Sequence, residues 1–139
     1  MNVTVAQLMT SPVMTVTKHQ TAEHVRRLMH EHRVSALPVV GPDHEPIGIV
    51  TASDLLGHHA DHTPVSALMS SPTFTVRSSD GPHVAARIMR NHHQHHVVVA
   101  DEHRVVGIVS AYDLLELVED HRFVAKAAPT PAKHLAGRR

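Results

Sequence analysis

The chain has 139 residues, 42% hydrophobic and 19% charged, with zero formal net charge. That is the profile of a soluble globular protein, either one compact domain or two small fused repeats. The charge balance and the 2% aromatic content argue against a nucleic-acid or anionic-membrane surface, and the lack of cysteine excludes disulfides, thiol catalysis and cysteine-bound zinc.

The opening "MNVTVAQLMTSP" has no charged stretch leading into an apolar core, so no secretory leader is expected. No apolar run approaches the roughly 20 residues of a membrane span. A cytoplasmic location is therefore the expectation. Sixteen histidines would make the chain increasingly cationic as pH falls through about 6.5.

Along the chain, "VMTVT" reads as a short strand. Thr21 is then placed as the N-cap of a helix whose apolar stripe is Val25, Leu28 and Met29. "LPVV" has strand length, "GPDHEP" is a polar turn, and "IGIV" is a further strand leading to a second helix at "SDLL". "GHHADHT", Gly57 to Thr63, reads as a polar linker.

The whole series then recurs. "VAQLMTSPVMTV" returns as "VSALMSSPTFTV", "VRRLMHEH" as "AARIMRNH", "ALPVV" as "HVVVA", and "IGIVTASDLL" as "VGIVSAYDLL". Gly81 takes the place of Thr21, with Pro82 at the first helical position and Ala85, Ile88 and Met89 as the stripe. Each copy is a β-α-β-β-α unit too small to cover its own sheet, so the two should pack sheet to sheet with pseudo-two-fold symmetry in an α/β (α+β) fold. The expected division is 1–60, 61–123, and a mobile tail over 124–139, where "VAKAAPTPAKHLAGRR" has no amphipathic period.

Both copies close on Gly-x-x-Thr/Ser-x-x-Asp. Gly48 and Gly107 allow a ligand or a neighbouring backbone to come close. Thr51 and Ser110 put a hydroxyl at a helix start, where free N–H groups favour a phosphate, and Asp54 and Asp113 could accept hydrogen bonds from a ribose diol. The same spacing is an ordinary capping box. Spacing alone leaves both open.

The openers "LMTSP" and "LMSSP", the strand "VSALPVV" and the two closers in register resemble the cystathionine-β-synthase (CBS) domain family, in the tandem form called a Bateman module. The resemblance runs from about Val5 to Glu119. It implies two clefts, each built from both copies, in which the hydroxyl and Asp of one copy hold phosphate and ribose while adenine lies on strands of the other. Carried over, one cleft uses Ser110 and Asp113 with Val13, Met14, Ser35 and Ala36; its twin uses Thr51 and Asp54 with Thr73, Phe74, His95 and His96. Family members often add a basic side chain from the second strand of the Asp-bearing copy. His95 and His96 stand there for the first cleft, and uncharged Ser35 and Ala36 for the twin, which favours Ser110/Asp113 as the nucleotide site. Many members also carry Arg just before the Asp; here Ser53 and Tyr112 stand there, favouring a monophosphate or adenosyl ligand over a triphosphate. Tyr112 either closes over the ligand or fills space, and Phe74 is expected in the core.

His58 and His62 are four apart and would share a helix face, a spacing that suits zinc or nickel, although a solvated linker is the favoured reading. Strand alternation should point His95 and His96 to opposite faces, and His92 and His93 close a helix. No Gly-x-Ser-x-Gly elbow, HExxH helix or P-loop is present, so no enzyme and no required cofactor is expected. The leading reading is a regulatory module that binds an AMP-like adenine nucleotide or adenosyl compound, forms a homodimer through leftover apolar helix faces, and signals to an effector protein. The alternatives are a structural dimerisation module and a histidine-dependent metal or pH sensor.

Overall fold

The computed structural model describes residues 2–71 and 73–120. The tail expected over 124–139 lies outside the described residues. In chain order the elements are α1 (Val5–Leu8), β1 (Val16–Thr17), α2 (Ala22–His32), β2 (Ala36–Val40), β3 (Pro46–Thr51), β4 (Thr75–Val76), α3 (Pro82–His92), β5 (His96–Asp101), β6 (Arg104–Ser110) and α4 (Ala111–Asp120). One-turn 3-10 helices lie at Ser53–Leu55 and Val65–Ala67.

Each repeat forms a three-stranded sheet, β1-β2-β3 or β4-β5-β6, with the first pair parallel and the second antiparallel. Even the irregularities repeat, with register shifts at Val39/Val40 and Val99/Ala100. The helices start as their caps dictate. Thr21 Oγ1 accepts the His24 N–H at 3.2 Å, and Gly81 precedes Pro82 at the start of α3. Both bury their stripe residues: Val25 and Met29 from α2, Ala85 and Met89 from α3.

The repeats do not fold as separate parcels. The first opener crosses to the second repeat, where the Val5 and Ala6 N–H groups donate to the carbonyls of Asp80 and Ser78 at 2.8 and 2.9 Å. The second opener crosses back, with Val65 and Ser66 donating to Gln20 and Lys18 at 2.7 and 3.2 Å. Val5 and Leu8 therefore join a core made with β4, α3, β5 and β6, and Val65 joins the one that includes β1, α2, β2, β3 and Leu55. A third apolar cluster, Ala36, Val40, Ile49, Val98, Val105 and Ile108, joins the two sheets.

Each crossing ends in an antiparallel bridge, Thr10 to Ile108 and Ser70 to Ile49. These bridges explain the paired glycines. A Cβ on Gly107 would lie 2.9 Å from the Thr10 carbonyl oxygen and 2.7 Å from Met9 Sδ, and one on Gly48 would lie 2.9 Å from the Ser70 oxygen and 2.6 Å from Met69 Sδ. Of the two partners expected for these glycines, it is the neighbouring backbone that comes close.

One expected element is corrected. In the first repeat "SDLL" makes a single 3-10 turn, not a helix. Its apolar run stops at Leu56 and meets Gly57 and two histidines, too short a segment to offset the cost of nucleating a helix. The second repeat continues through "LELVED" and forms α4. The linker, in turn, is more than a spacer: the carbonyls of Thr63 and Asp61 accept the first N–H groups of α2, from Ala22 and Glu23, at 2.8 and 3.0 Å.

Gly107→Ala is expected to destabilise the protein by about 1–3 kcal/mol, because the blocking atom is backbone and cannot rotate away. Gly57→Ala, where nothing lies within 4 Å of the new Cβ, should change stability by no more than about 0.5 kcal/mol. Urea midpoints of the two variants check the contrast.

Candidate functional site

Strand β6 runs directly into α4, so Ser110 stands at the junction and Asp113 in the first turn. The Ser110 N–H donates to Asp113 Oδ2 at 2.8 Å, and the Asp113 N–H donates to Ser110 Oγ at 2.9 Å. Thr51 and Asp54 make the same pair at 2.8 and 3.3 Å. Both closers therefore form the capping box. Capping does not exhaust them: the Ser110 hydroxyl keeps its proton to donate, and Asp113 keeps a second carboxylate oxygen. The Ala111 N–H is committed to the His95 carbonyl at 2.8 Å, so side chains, more than bare helix-end N–H groups, must supply the polarity here.

This pair faces a cavity of about 580 Å³ between the repeats. Val13, Met14, Ser35, Ala36, His95, His96, Ser110 and Asp113 all line it. Thr10, Arg33 and Ile108 also line it, and sequence reasoning does not single them out. Thr10 and Ile108 are there because the opener crosses to β6. Arg33 closes α2 and directly precedes the strand segment, a position whose only sequence signal is a basic residue where a helix-ending glycine is common. Tyr112 is 81% exposed on the cavity rim, so it fills no core space.

The twin cleft is not a copy. Thr51 and Asp54 line a cavity of about 380 Å³ together with His93, His95 and His96. Thr73 and Phe74 line a separate space of about 40 Å³. Ser70, Gln94 and His96 border both and form the partition. Phe74 corrects an expectation: it is 45% exposed and stacks on His92, centroids 3.9 Å apart, outside the core. The strand it begins is only two residues long and the ring precedes it, so strand alternation does not turn the ring inward. His95 and His96 also depart from strict alternation, since His95 precedes β5 and both reach the same two cavities.

His58 and His62 lie in bends and a turn, so the helix face that would have paired them does not form. Among the described residues no group of three or more His, Cys, Asp or Glu side chains is arranged to hold a metal ion. No helix among them is long and apolar enough to cross a membrane.

His96 sits between the clefts, its Nε2 3.5 Å from Ser35 Oγ of the other repeat, a long contact for a hydrogen bond. Its pKa is lowered from 6.5, first by burial and then by the neighbouring His95, with the Asp113 carboxylate opposing. Burial therefore favours the neutral form of the basic side chain expected at that position. Below pH 6.5 the unfolded chain takes up this proton before the folded one does, so the group makes stability fall as pH falls. Replacing His96 with Gln should make unfolding less sensitive to acid between pH 7 and 5, as read from urea midpoints against the parent.

Comparison with known proteins bears on this geometry. The chain is 29% identical over 123 residues to a homoserine O-acetyltransferase of Methanosalsum zhilinae, covering 87% of this chain but 25% of that enzyme. It thus spans about a quarter of that relative's length. The solved CBS domain pair of protein MJ0100, in complex with 5′-methylthioadenosine and S-adenosyl-L-methionine, superposes with a TM-score of 0.79 at 22% identity, over 86% of this chain and 98% of that one. CBSX2 in complex with AMP gives 0.76 at 22% identity, over 85% and 97%. The family model for the CBS domain matches residues 5–61 and again 65–120, and with both repeats accounted for the chain belongs to the CBS domain family as a tandem pair.

Proposed function

We propose that this protein is a regulatory module that binds an AMP-like adenine nucleotide or adenosyl compound between its two repeats. The observation that carries the reading is a single cavity lined by polar and apolar side chains from both repeats. Ser110 and Asp113 lie on one side, and Val13, Met14 and Ala36 on the other. Its size falls within the range of small-molecule sites. In this reading the free oxygen of Asp113 accepts a ribose hydroxyl, and Ser110 donates to the phosphate. Val13, Met14 and Ala36 flank the adenine, with Ser35, His95 and His96 completing the polar edge.

The adenosyl ligands of MJ0100 and the AMP of CBSX2 support the ligand class. One ligand per chain is expected, because the Thr51/Asp54 cavity is smaller and cut off from Thr73 and Phe74. There the hydroxyl and carboxylate serve as a cap. Ligand held between the repeats favours one packing of them, and a cytoplasmic effector protein reads that shift without chemistry on the ligand. A second copy of the chain is the proposed cover for Leu115 and Val118 of α4, which are 56% and 55% exposed.

Protein stripped of co-purified ligand should show a raised melting temperature with AMP or S-adenosylmethionine in a panel that includes ADP, ATP and NAD. At 100 times Kd the stabilisation is about 2.7 kcal/mol. Asp113→Ala should lose that response while costing about 1 kcal/mol of cap stability. If the whole panel leaves the melting temperature unmoved, the nucleotide reading fails and the closers act only as caps in a structural pair.

A further inference from the structure

The zero net charge of the chain conceals a division. All 13 acidic residues lie within 1–120, whereas five of the 13 Lys and Arg residues, and no acidic one, lie within 121–139. Residues 1–120 therefore carry a net charge of −5, and the sequence that follows carries +5. Four of the carboxylates are gathered on α4, which has no Lys, Arg or His. Asp113, Glu116, Glu119 and Asp120 stand three and four residues apart, a spacing at which like charges work against a helix. The last turns of α2 and α3 hold basic side chains that suit the helix dipole, but α4 ends on Glu119 and Asp120 with none.

One side of this helix is also unpartnered. Leu114 and Leu117 pack against the second core, while Tyr112 and Leu115 are exposed. Tyr112, Glu116 and Glu119, at i, i+4 and i+7, form a stripe along the helix. Together with Asp113, Leu115 and Asp120 they line a groove of about 580 Å³, and every lining residue belongs to α4. Val118 is not among them, so the groove lies beside the surface proposed for a second copy and borders it at Leu115. Among the described residues Glu116, Glu119 and Asp120 make no ion pair.

We propose that residues 121–139 dock along the Tyr112, Glu116 and Glu119 side of α4 in their own chain. The charges are complementary and equal in size, and the basic segment starts at the very end of the groove, directly after Asp120. Its length suffices: 19 extended residues reach about 60 Å, against about 15 Å for α4. Arg122, Lys126 and Lys133 meet the carboxylates, and Phe123 and Leu135 are available to Tyr112 and Leu115. Tyr112 and Asp113 line both this groove and the cavity between the repeats, so the docked segment reaches the cavity rim. The docking holds whether or not that cavity takes a nucleotide.

The chain has no cysteine, so Ala132→Cys gives the full-length protein a single site for a nitroxide spin label. In low salt the label should cost the amide signals of Tyr112, Leu115, Glu116 and Glu119 their intensity, and reducing the nitroxide should restore it. About 1 M salt, where the screening length is about 3 Å, should restore it too. Glu116→Lys with Glu119→Lys should abolish the loss, and adding Lys126→Glu with Lys133→Glu should bring it back. Unchanged β5 and β6 signals show that each variant is folded. Undiminished α4 signals in the labelled parent overturn the proposal, as does a loss that survives the Glu116 and Glu119 reversal. A mixture of isotope-labelled chains without the nitroxide and nitroxide-bearing chains without isotope separates the copies. If the α4 loss appears there at full strength, the segment docks on a second copy and the same-chain proposal fails.

Discussion

The structure depends on the exchange of openers between the repeats. Each opener leaves its own sequence copy, lays apolar side chains into the core of the other, and is fastened by a bridge to the last strand there. Neither three-stranded sheet with its helix would bury enough apolar surface alone, as expected for units of this size. Gly48 and Gly107 make the fastening possible by letting the crossing backbone come within contact of the strand. The same crossing builds the cavity. Thr10 is bridged to Ile108, so Val13 and Met14, a few residues further on, arrive opposite Ser110 and Asp113. Core and cleft are products of one topological fact.

The two closers show one local solution in two different settings. In both, hydroxyl and carboxylate cap the helix start through reciprocal bonds to the backbone. The difference lies in the segments they open. Ser110 and Asp113 begin a ten-residue helix whose inner side packs Leu114 and Leu117 against the second core, so their position is rigidly held. Thr51 and Asp54 begin a single 3-10 turn, and the space before them is divided by Ser70, Gln94 and His96. Pseudo-symmetry of the backbone therefore does not extend to the cavities.

Charge is sparse in the larger cavity, and this gives each charged group weight. Asp113 and Arg33 come from opposite repeats, and His96 is kept neutral chiefly by burial. Elsewhere in the described residues the one Lys or Arg ion pair with a carboxylate is weak. The Arg26–Asp61 pair, at 3.5 Å with both side chains largely exposed, is of the kind worth well under about 1 kcal/mol. Cohesion is apolar and steric.

Much of this was legible in the residues alone. Duplication, the β-α-β-β order shared by both copies, the caps at Thr21 and Gly81, and the lining role of Val13, Met14, Ser35, Ala36, Ser110 and Asp113 come from patterns repeated at fixed intervals, or from the family those patterns resemble. Local spacing governs such features because caps, stripes and strands are short-range solutions. Three things were decided only in three dimensions. The openers cross because the partner core, not the local sequence, has room for Val5 and Val65. Phe74 stacks on His92 outside the core because the strand it precedes is too short to turn it inward. Arg33 lines the cavity from the left-handed position that ends α2, and with no glycine there the residues carry no mark of that turn.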